Sequence, residues 1–368
     1  MARTDVIVLG GGIIGCAIAE ELARRGRRVA LVERGRLGSE ASRAAAGILS
    51  AQMDLSAPGP LFDLCQDARR LYPGWIAQLQ RRSGVSVGYH EEGILYVATT
   101  ARDEQVMAAR AAWQHRRGLR VQRWSAADVK RREPGVDGRL RCGFYFPAEA
   151  QIDNVRLMAA LGGACRRAGV AIHEDTAARR LLVRRHAVQG IETTSGVLRA
   201  PVVVSCVGSW AGVGNLPRLP VVPARGQMLA FRGPAGLFRS AVMSERAYVV
   251  QRRDGRLIVG STIEFAGFDK SLTLQGMHGI LCGLRRMSSV LKHCTFVEAW
   301  TGLRPYSPDG LPIIGPTALD GLYAATGHFR HGILLAPITA ALMAQMIVHG
   351  HAVSSLTAFS PTRFSHLK

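Results

Sequence analysis

The chain has 368 residues, which is more than one average domain and less than three, so we expect two domains. Apolar residues make up 48% of it and charged residues 20%, a globular composition that excludes disorder, collagen and coiled coil. The formal charge is +20, yet only four basic residues are lysines and the arginines are scattered. Because nucleic-acid binding needs a clustered basic surface, we expect no such partner. Weak association with an anionic membrane surface stays open.

The seven cysteines are odd in number, and none has CxxC spacing. We therefore expect no disulfide framework, no metal site and a reducing, cytoplasmic location. The first residues run directly into a strand-like segment, which predicts no signal peptide. The most apolar stretch, 333–348, contains Pro337 and is short for a membrane span, so it predicts a buried helix.

A strand–helix–strand unit opens the chain. The apolar run 5–9 ends in three glycines, and apolar residues then recur at helical spacing until Gly26. The run 29–32 predicts a second buried strand, so the unit begins a parallel sheet.

The later segments predict a mixture of helices and strands. Helices are expected over 61–79, over 154–168 after Asp153 as N-cap, and from Pro337 onward. Strands are expected within 85–99, 170–172, 181–198 with turns at Gly190 and Ser195-Gly196, 201–206, 220–263 with turns at Gly226, Gly233 and Asp254-Gly255, and 323–325. The segments 113–132 and 300–315 predict a polar surface and loops, respectively.

Because β-rich segments interrupt the strand–helix pieces, we expect an α/β fold whose domains are discontinuous in sequence. The predicted fold is a discontinuous Rossmann-type domain plus a second domain built on an antiparallel β-sheet. The predicted ranges are 1–84, 146–216 and 300–368 for the first domain, and 85–145 and 217–299 for the second.

The glycine pattern Gly10-x-Gly12-x-x-Gly15 follows the first strand and opens the first helix. Such glycines permit a tight turn, close approach of a pyrophosphate and close helix packing, and the helix N-terminus attracts phosphate. Glu33 ends the next strand, where it would accept hydrogen bonds from a ribose hydroxyl. The pattern indicates a dinucleotide and leaves FAD and NAD open.

The segment 40–48 (EASRAAAGI) follows directly after Glu33. Its small residues let the backbone approach a ligand, Ser42 can bond a phosphate and Arg43 can neutralise one. A second phosphate-proximal loop at this place favours FAD.

Two arginines near the C-terminus, Arg304 and Arg330, lie in Gly- and Pro-rich segments. Arginine presents a planar fork that matches a carboxylate. Pro337 is suited to begin the last helix, whose positive end would face a reduced flavin. His328 and His331 lack a third ligand, so they predict no metal site.

These segments resemble the FAD-dependent oxidases of the D-amino-acid oxidase superfamily, and most closely the bacterial glycine oxidase type. The resemblance runs essentially end to end and is most specific in VLGGGIIG, SRAAAGIL, GLRPYSPDG and GHFRHGILLAP. It implies that the Rossmann-type domain is the FAD-binding domain and that the antiparallel β-sheet domain is the substrate domain. Together with Gly10, Gly12 and Gly15, it implies a non-covalent FAD site formed by Ile13, Ile14, Glu33, Arg34, Ala41, Ser42, Ala46, Gly47, Ile48, Ala178, His328, Phe329, Arg330, His331, Gly332, Ile333 and Leu334.

The resemblance also implies that Arg304 and Tyr248 hold the substrate carboxylate, with Arg330 beside the substrate. Without the resemblance, Tyr248 is equally consistent with a residue that packs within a β-hairpin. The chain differs from glycine oxidases at Arg246, where they carry His, and at Ile263, where they carry Met.

The resemblance implies oxidation of glycine, or of a small D- or N-methyl amino acid, to the imine, with hydride passing to flavin N5. The imine then hydrolyses to a 2-oxo acid and ammonia. Alternatives are a dehydrogenase that reduces a quinone or other carrier instead of O₂, a flavoprotein that hands its imine to a thiazole synthase in thiamine synthesis, and an NAD protein. Homo-oligomerisation stays open.

Overall fold

The computed structural model describes residues 4–212, 218–350 and 354–364. Its helices are α1 (Ile13–Arg24), α2 (Ala41–Ala44), α3 (Pro60–Ser83), α4 (Ala101–Arg116), α5 (Ala126–Arg132), α6 (Asn154–Arg167), α7 (Leu274–Met287) and α8 (Gly332–His349). Its strands are β1 (Val6–Leu9), β2 (Val29–Val32), β3 (Ile48–Leu49), β4 (Ile94–Ala98), β5 (Gln122–Ser125), β6 (Cys142–Phe146), β7 (Ala150–Gln151), β8 (Ala171–His173), β9 (Ala178–Arg184), β10 (Ala187–Thr193), β11 (Gly196–Arg199), β12 (Val202–Ser205), β13 (Val222–Arg232), β14 (Ala241–Met243), β15 (Tyr248–Gln251), β16 (Arg256–Gly260), β17 (Thr295–Tyr306), β18 (Ile313–Pro316) and β19 (Leu322–Thr326).

A six-stranded sheet forms the first layer, in the order β18-β19-β12-β1-β2-β8. Its pairings are parallel except for the edge strand β18. Strands β1 and β2 are buried along their whole length, as expected of a parallel sheet covered on both faces. Helices α1, α3, α6 and α8 pack together over this sheet, so the predicted strand–helix–strand unit is confirmed.

An eight-stranded sheet forms the second layer, in the order β17-β13-β16-β15-β14-β4-β6-β5. It is antiparallel except where β14 pairs with β4. The predicted hairpin at Asp254-Gly255 joins β15 to β16. The α/β fold with a second, largely antiparallel sheet is thus as predicted. Strand β17 spans the predicted boundary at residue 300, and the boundary at 216–217 falls outside the described residues, so the domain ranges stay a prediction.

Two predicted turns are wrong. Gly226 lies inside the long strand β13, paired with Gly302 of β17. Gly190 lies inside β10 at an irregularity of its pairing with β9, and Arg185 and His186 form the turn instead, both with positive φ. A glycine inside a strand leaves room for a close neighbour. Sequence reasoning cannot distinguish such a glycine from one that forms a turn.

Three other segments also differ from expectation. Within 85–99 only β4 is a regular strand. The polar stretch 113–132 contains the end of α4, then β5 and α5. The stretch 300–315 is largely strand, because β17 continues to Tyr306.

The last helix, α8, begins at Gly332 and not at Pro337, which lies inside it. Proline has no N–H, so the carbonyl of Ile333, four residues earlier, loses its helical partner. The Tyr72 hydroxyl of α3 donates to that carbonyl at 3.1 Å and replaces the lost bond.

The stretch Phe329–His349 is long and apolar enough to cross a membrane by length and composition alone. It is 61% buried in the fold, where it packs against α1 and α3. This burial agrees with the predicted core helix.

Candidate active site

A cavity of about 770 Å³ is lined by residues of both large sheets. One end lies at the carboxyl ends of β1 and β2, where parallel sheets usually bind ligands. The other end lies against β13, β15, β16 and β17. We call these the nucleotide end and the substrate end.

The glycine turn builds the nucleotide end from backbone. Gly10 has φ +98°, and a Cβ there would stand 2.4 Å from the carbonyl oxygen of Cys206. A Cβ on Gly15 would stand 1.9 Å from the oxygen of Gly10, so Gly15 lets α1 pack on the turn and does not line the cavity. At Gly12 a Cβ would meet only the Ser42 hydroxyl, at 3.3 Å. Gly12 therefore keeps the cavity wall open.

Glu33 is held at the cavity wall by backbone donors. Its carboxylate accepts hydrogen bonds from the N–H of Gly11 at 2.6 Å and of Gly35 at 2.9 Å. Arg34 lies beside it, with its guanidinium 3.7 Å from the centre of the Trp210 ring. The acid is thus fixed before any ligand binds.

The segment 40–48 folds over the first turn of α1. The Ser42 hydroxyl accepts from the N–H of Ile13 at 2.9 Å, so it caps one of the free donors of that turn. Gly47 has φ +69°, and a Cβ there would stand 1.9 Å from the Ile152 oxygen. The buried Arg252 donates to the carbonyls of Ile152 and Ala46, which locks this segment to the second sheet's hairpin.

FAD fits these residues. The N-terminus of α1, 12 residues long, and that of α8, 18 residues long, both meet the cavity. Each would supply N–H donors and positive potential to such a ligand, and the prediction is that α1 faces its pyrophosphate and α8 its flavin. Complete burial lowers the pKa of His328 to about 3, so this cavity residue is neutral, and its Nε2 lies 3.2 Å from the Thr339 hydroxyl.

Arg304 and Tyr248 come together at the substrate end. Arg304 donates to the Ser261 hydroxyl at 2.8 Å and to the Thr262 carbonyl at 3.1 Å. Within the described residues it forms no ion pair with a carboxylate. Burial raises the pKa of the Tyr248 phenol, and the neighbouring Arg304 partly offsets that rise.

Two glycines make the room for this pair. A Cβ on Gly226 would stand 2.1 Å from Nη1 of Arg304, and one on Gly260 would stand 2.6 Å from the Tyr248 hydroxyl. Sequence reasoning missed both, because their signal is a close approach across strands that are distant in the chain.

Arg330 lies on the cavity wall and pairs with Asp54, at 3.5 Å between Nη1 and Oδ1. The Phe329 ring contacts Tyr306 edge-on, with ring centroids 5.0 Å apart. His331 lines an adjoining cavity of about 480 Å³, which also touches Asp54 and Arg330. Among the described residues, its buried Nε2 has no hydrogen-bond partner.

The cavity thus brings together nearly all of the predicted site. The predicted residues that do not line it are Gly15, Arg43, His331 and Leu334. Arg43 is exposed and Leu334 is a core residue of α8. Arg246 and Ile263 line the substrate end and are exposed, Ile263 to 48%. The described residues hold no group of three or more His, Cys, Asp or Glu arranged for a metal ion.

Sequence reasoning missed several cavity residues that come from distant elements: Met53, Asp54, Tyr96, Arg110 and Met243. It also missed Glu149, which is fully buried below them. The Glu149 carboxyl accepts from the N–H groups of Ala51 and Gln52, just before Asp54. Burial raises its pKa to about 8, against the opposing effect of these donors.

The comparisons with known proteins agree with this architecture. The model of the family of FAD dependent oxidoreductases (DAO) matches residues 5–346. The crystal structure of glycine oxidase from Geobacillus kaustophilus superposes with a TM-score of 0.93 at 32% identity, covering 99% of both chains. The chain is therefore an FAD-dependent oxidoreductase. It belongs to the DAO family.

Two curated relatives differ in length. The glycine oxidase of Geobacillus kaustophilus is 33% identical over 98% of this chain and 97% of its own. The bifunctional protein ThiO/ThiG of Synechocystis is 36% identical over 98% of this chain, yet only 54% of its own length is covered. The chain therefore spans about half the length of that relative.

Proposed function

We propose that the protein oxidises glycine, and with it small D- and N-methyl amino acids, at the C–N bond. The product is an imine, which water hydrolyses to a 2-oxo acid and ammonia, or methylamine where the substrate is an N-methyl amino acid. The observation that carries this proposal is Arg304, a buried guanidinium at the substrate end with no carboxylate partner among the described residues. A desolvated cation of this kind is stabilised by an anionic ligand, and its fork matches an α-carboxylate.

Three residues of the substrate end have a role in this proposal. Arg304 binds the carboxylate through two N–H groups, and the Tyr248 hydroxyl donates to the same group. Arg330, held by Asp54, lies beside the amine. Bound FAD supplies the acceptor for the two electrons and the hydrogen that leave the α-carbon. The protein's task is then orientation and exclusion of water, which explains why the cavity needs no strong general base.

The relatives support glycine as the first substrate, since full-length glycine oxidases are about a third identical to this chain. They also support a place in thiamine synthesis, because ThiO/ThiG proteins join a chain like this one to a second part. O₂ is the proposed electron acceptor.

The decisive experiment is anaerobic reduction of the holoenzyme, followed by loss of flavin absorbance, with glycine, sarcosine, D-alanine and larger D-amino acids. We expect glycine and D-alanine to bleach the flavin fastest. A kcat/KM for bulky D-amino acids well above that for glycine would overturn the proposal. The electron acceptor is then identified by comparing the yield of hydrogen peroxide with the yield of reduced dye. A turnover rate that depends on an added quinone would show that a quinone, and not O₂, is the acceptor.

FAD is proposed to bind non-covalently. Cys206 is the cysteine that lines the cavity, at the nucleotide end, and burial raises the pKa of its thiol so that it stays protonated. A protonated thiol is a poor nucleophile toward a flavin. Acid precipitation should therefore leave the flavin in the supernatant, and flavin retained in the pellet would show a covalent bond.

A further inference from the structure

Arg110 is a second cation of the cavity that the proposed reaction does not use. It projects from α4 to the substrate end and is half-buried. One of its Nη atoms donates to the Met53 carbonyl, while its Nε is buried without a partner. No carboxylate of the described residues pairs with it. It is thus a desolvated cation whose donors are only partly satisfied.

The other charges of the substrate end are balanced or exposed. Arg330 is paired with Asp54, and both Arg246 and Glu245 are exposed at the rim. Two half-buried arginines, Arg304 and Arg110, therefore have no carboxylate counter-ion among the described residues.

Both arginines line the same cavity as the Asp54–Arg330 pair. Asp54 and Arg330 act electrostatically on both of them. An amino acid whose α-carboxylate is held by Arg304 would therefore find a second cation without a carboxylate partner in the cavity that encloses it.

We propose that Arg110 forms a second anion-binding position, so that the cavity accepts amino acids with a second anionic group besides the α-carboxylate. This inference rests on the proposed function, since it assigns Arg304 to the α-carboxylate. The second anion can sit on the side chain or on a substituent of the nitrogen, and both place a negative charge at Arg110.

The test compares substrates with and without that second anionic group. D-Aspartate is compared with D-asparagine, and iminodiacetate with sarcosine, by anaerobic flavin reduction of the holoenzyme. One charge-assisted contact should favour the charged member of at least one pair by about 10- to 100-fold in kcat/KM. In Arg110→Gln, which keeps a donor for the Met53 carbonyl, this preference should fall by the same factor.

Arg102→Gln is the matched control, because it removes the same charge from an exposed position of the same helix. It should keep the wild-type preference. Preference for the neutral member of both pairs, or an equal change in both variants, would overturn the proposal.

A second measurement separates this inference from the proposed function. Malonate and acetate are titrated into the oxidised holoenzyme, and binding is followed by the change in flavin absorbance. Tighter binding of malonate than of acetate, lost in Arg110→Gln, supports the second anion position. This result would stand even if no amino acid reduced the flavin, an outcome that would refute only the proposed reaction. Equal binding of the two anions refutes the position at Arg110.

Discussion

The nucleotide end and the substrate end of the cavity are built in opposite ways. At the nucleotide end, Gly10, Gly12, Glu33 and Ser42 lie within about 30 residues of one another, and backbone groups form most of the surface. At the substrate end, side chains meet from β4, α4, β15 and β17, which lie far apart in sequence. The first end depends on close approach of the backbone and the second on buried charges and hydroxyls.

This difference predicts different kinds of damage. A substitution at the nucleotide end should act through sterics on cofactor binding and folding together. A substitution at the substrate end should change turnover while FAD stays bound.

The largest effect is expected at the glycine turn. Gly15→Val places a side chain where the Gly10 oxygen already lies, so folding stability should fall by about 3 kcal/mol or more and FAD should be lost. Gly12→Val meets only the Ser42 hydroxyl, 3.3 Å from its Cβ, and otherwise open cavity, so the protein should fold as apoprotein without FAD. Flavin content and thermal unfolding measure the two outcomes.

Gly74→Val is the control for these variants, because Gly74 is exposed within α3 and has nothing within 4 Å. It should keep FAD and near wild-type stability. Full flavin occupancy in Gly12→Val would show that the backbone there does not meet the cofactor.

The next effect is expected at Arg304. Arg304→Lys replaces a fork by a point charge and should lower kcat/KM for glycine by about 30- to 1000-fold, since two charge-assisted hydrogen bonds are lost. Flavin content should equal that of the exposed control Arg139→Lys. Unchanged kcat/KM in Arg304→Ala would move carboxylate binding to Arg330.

These expectations also explain how far sequence reasoning reaches. The glycine turn and Glu33 are predictable because spacing and local period place them at the ends of strands, and Ser42 because its small-residue segment follows directly. The segment around Arg304 suggests a carboxylate-binding arginine, whereas Tyr248 comes from the family resemblance, since nothing local shows that β15 and β17 belong to one sheet.

Other features of the substrate end were out of reach for a physical reason. Asp54, Arg110 and Glu149 depend on how α4 and the loop after β3 fold against each other, which no short pattern encodes. The start of α8 was misplaced because the tertiary bond from Tyr72 makes an internal proline tolerable.

Glu149, the buried carboxyl that accepts hydrogen bonds from the backbone just before Asp54, offers a test of what holds the substrate end in place. Its folded pKa of about 8 lies above the ordinary value of 4.5, so the native state holds a proton that the unfolded chain releases. Its contribution to stability is fully present below pH 4.5 and is lost as the pH rises toward 8. Between pH 6 and 9 the free energy of unfolding of the wild type should fall by about 2–3 kcal/mol more than that of Glu149→Gln.

Urea unfolding at both pH values measures this difference. Glu298→Gln, which alters an exposed carboxylate of β17, should retain the wild-type dependence on pH. Parallel stability profiles of wild type and Glu149→Gln would show that Glu149 does not bind a proton in this range.

The smallest effect is expected at the rim, where the family resemblance predicts that the chain differs from glycine oxidases. Arg246 and Ile263 line the substrate end but are exposed, so Ile263 is not a core residue. Because substitutions at exposed positions change free energies little, Arg246→His combined with Ile263→Met should shift kcat/KM for glycine relative to a bulky D-amino acid by only about 2- to 5-fold. The branched, stiff Ile263 narrows the opening more than a flexible methionine would, so the double variant should move preference toward larger side chains. Steady-state kinetics with glycine and D-phenylalanine measure the ratio, and an unchanged ratio would place the selectivity in segment 234–245, which supplies Met243 to the same cavity wall.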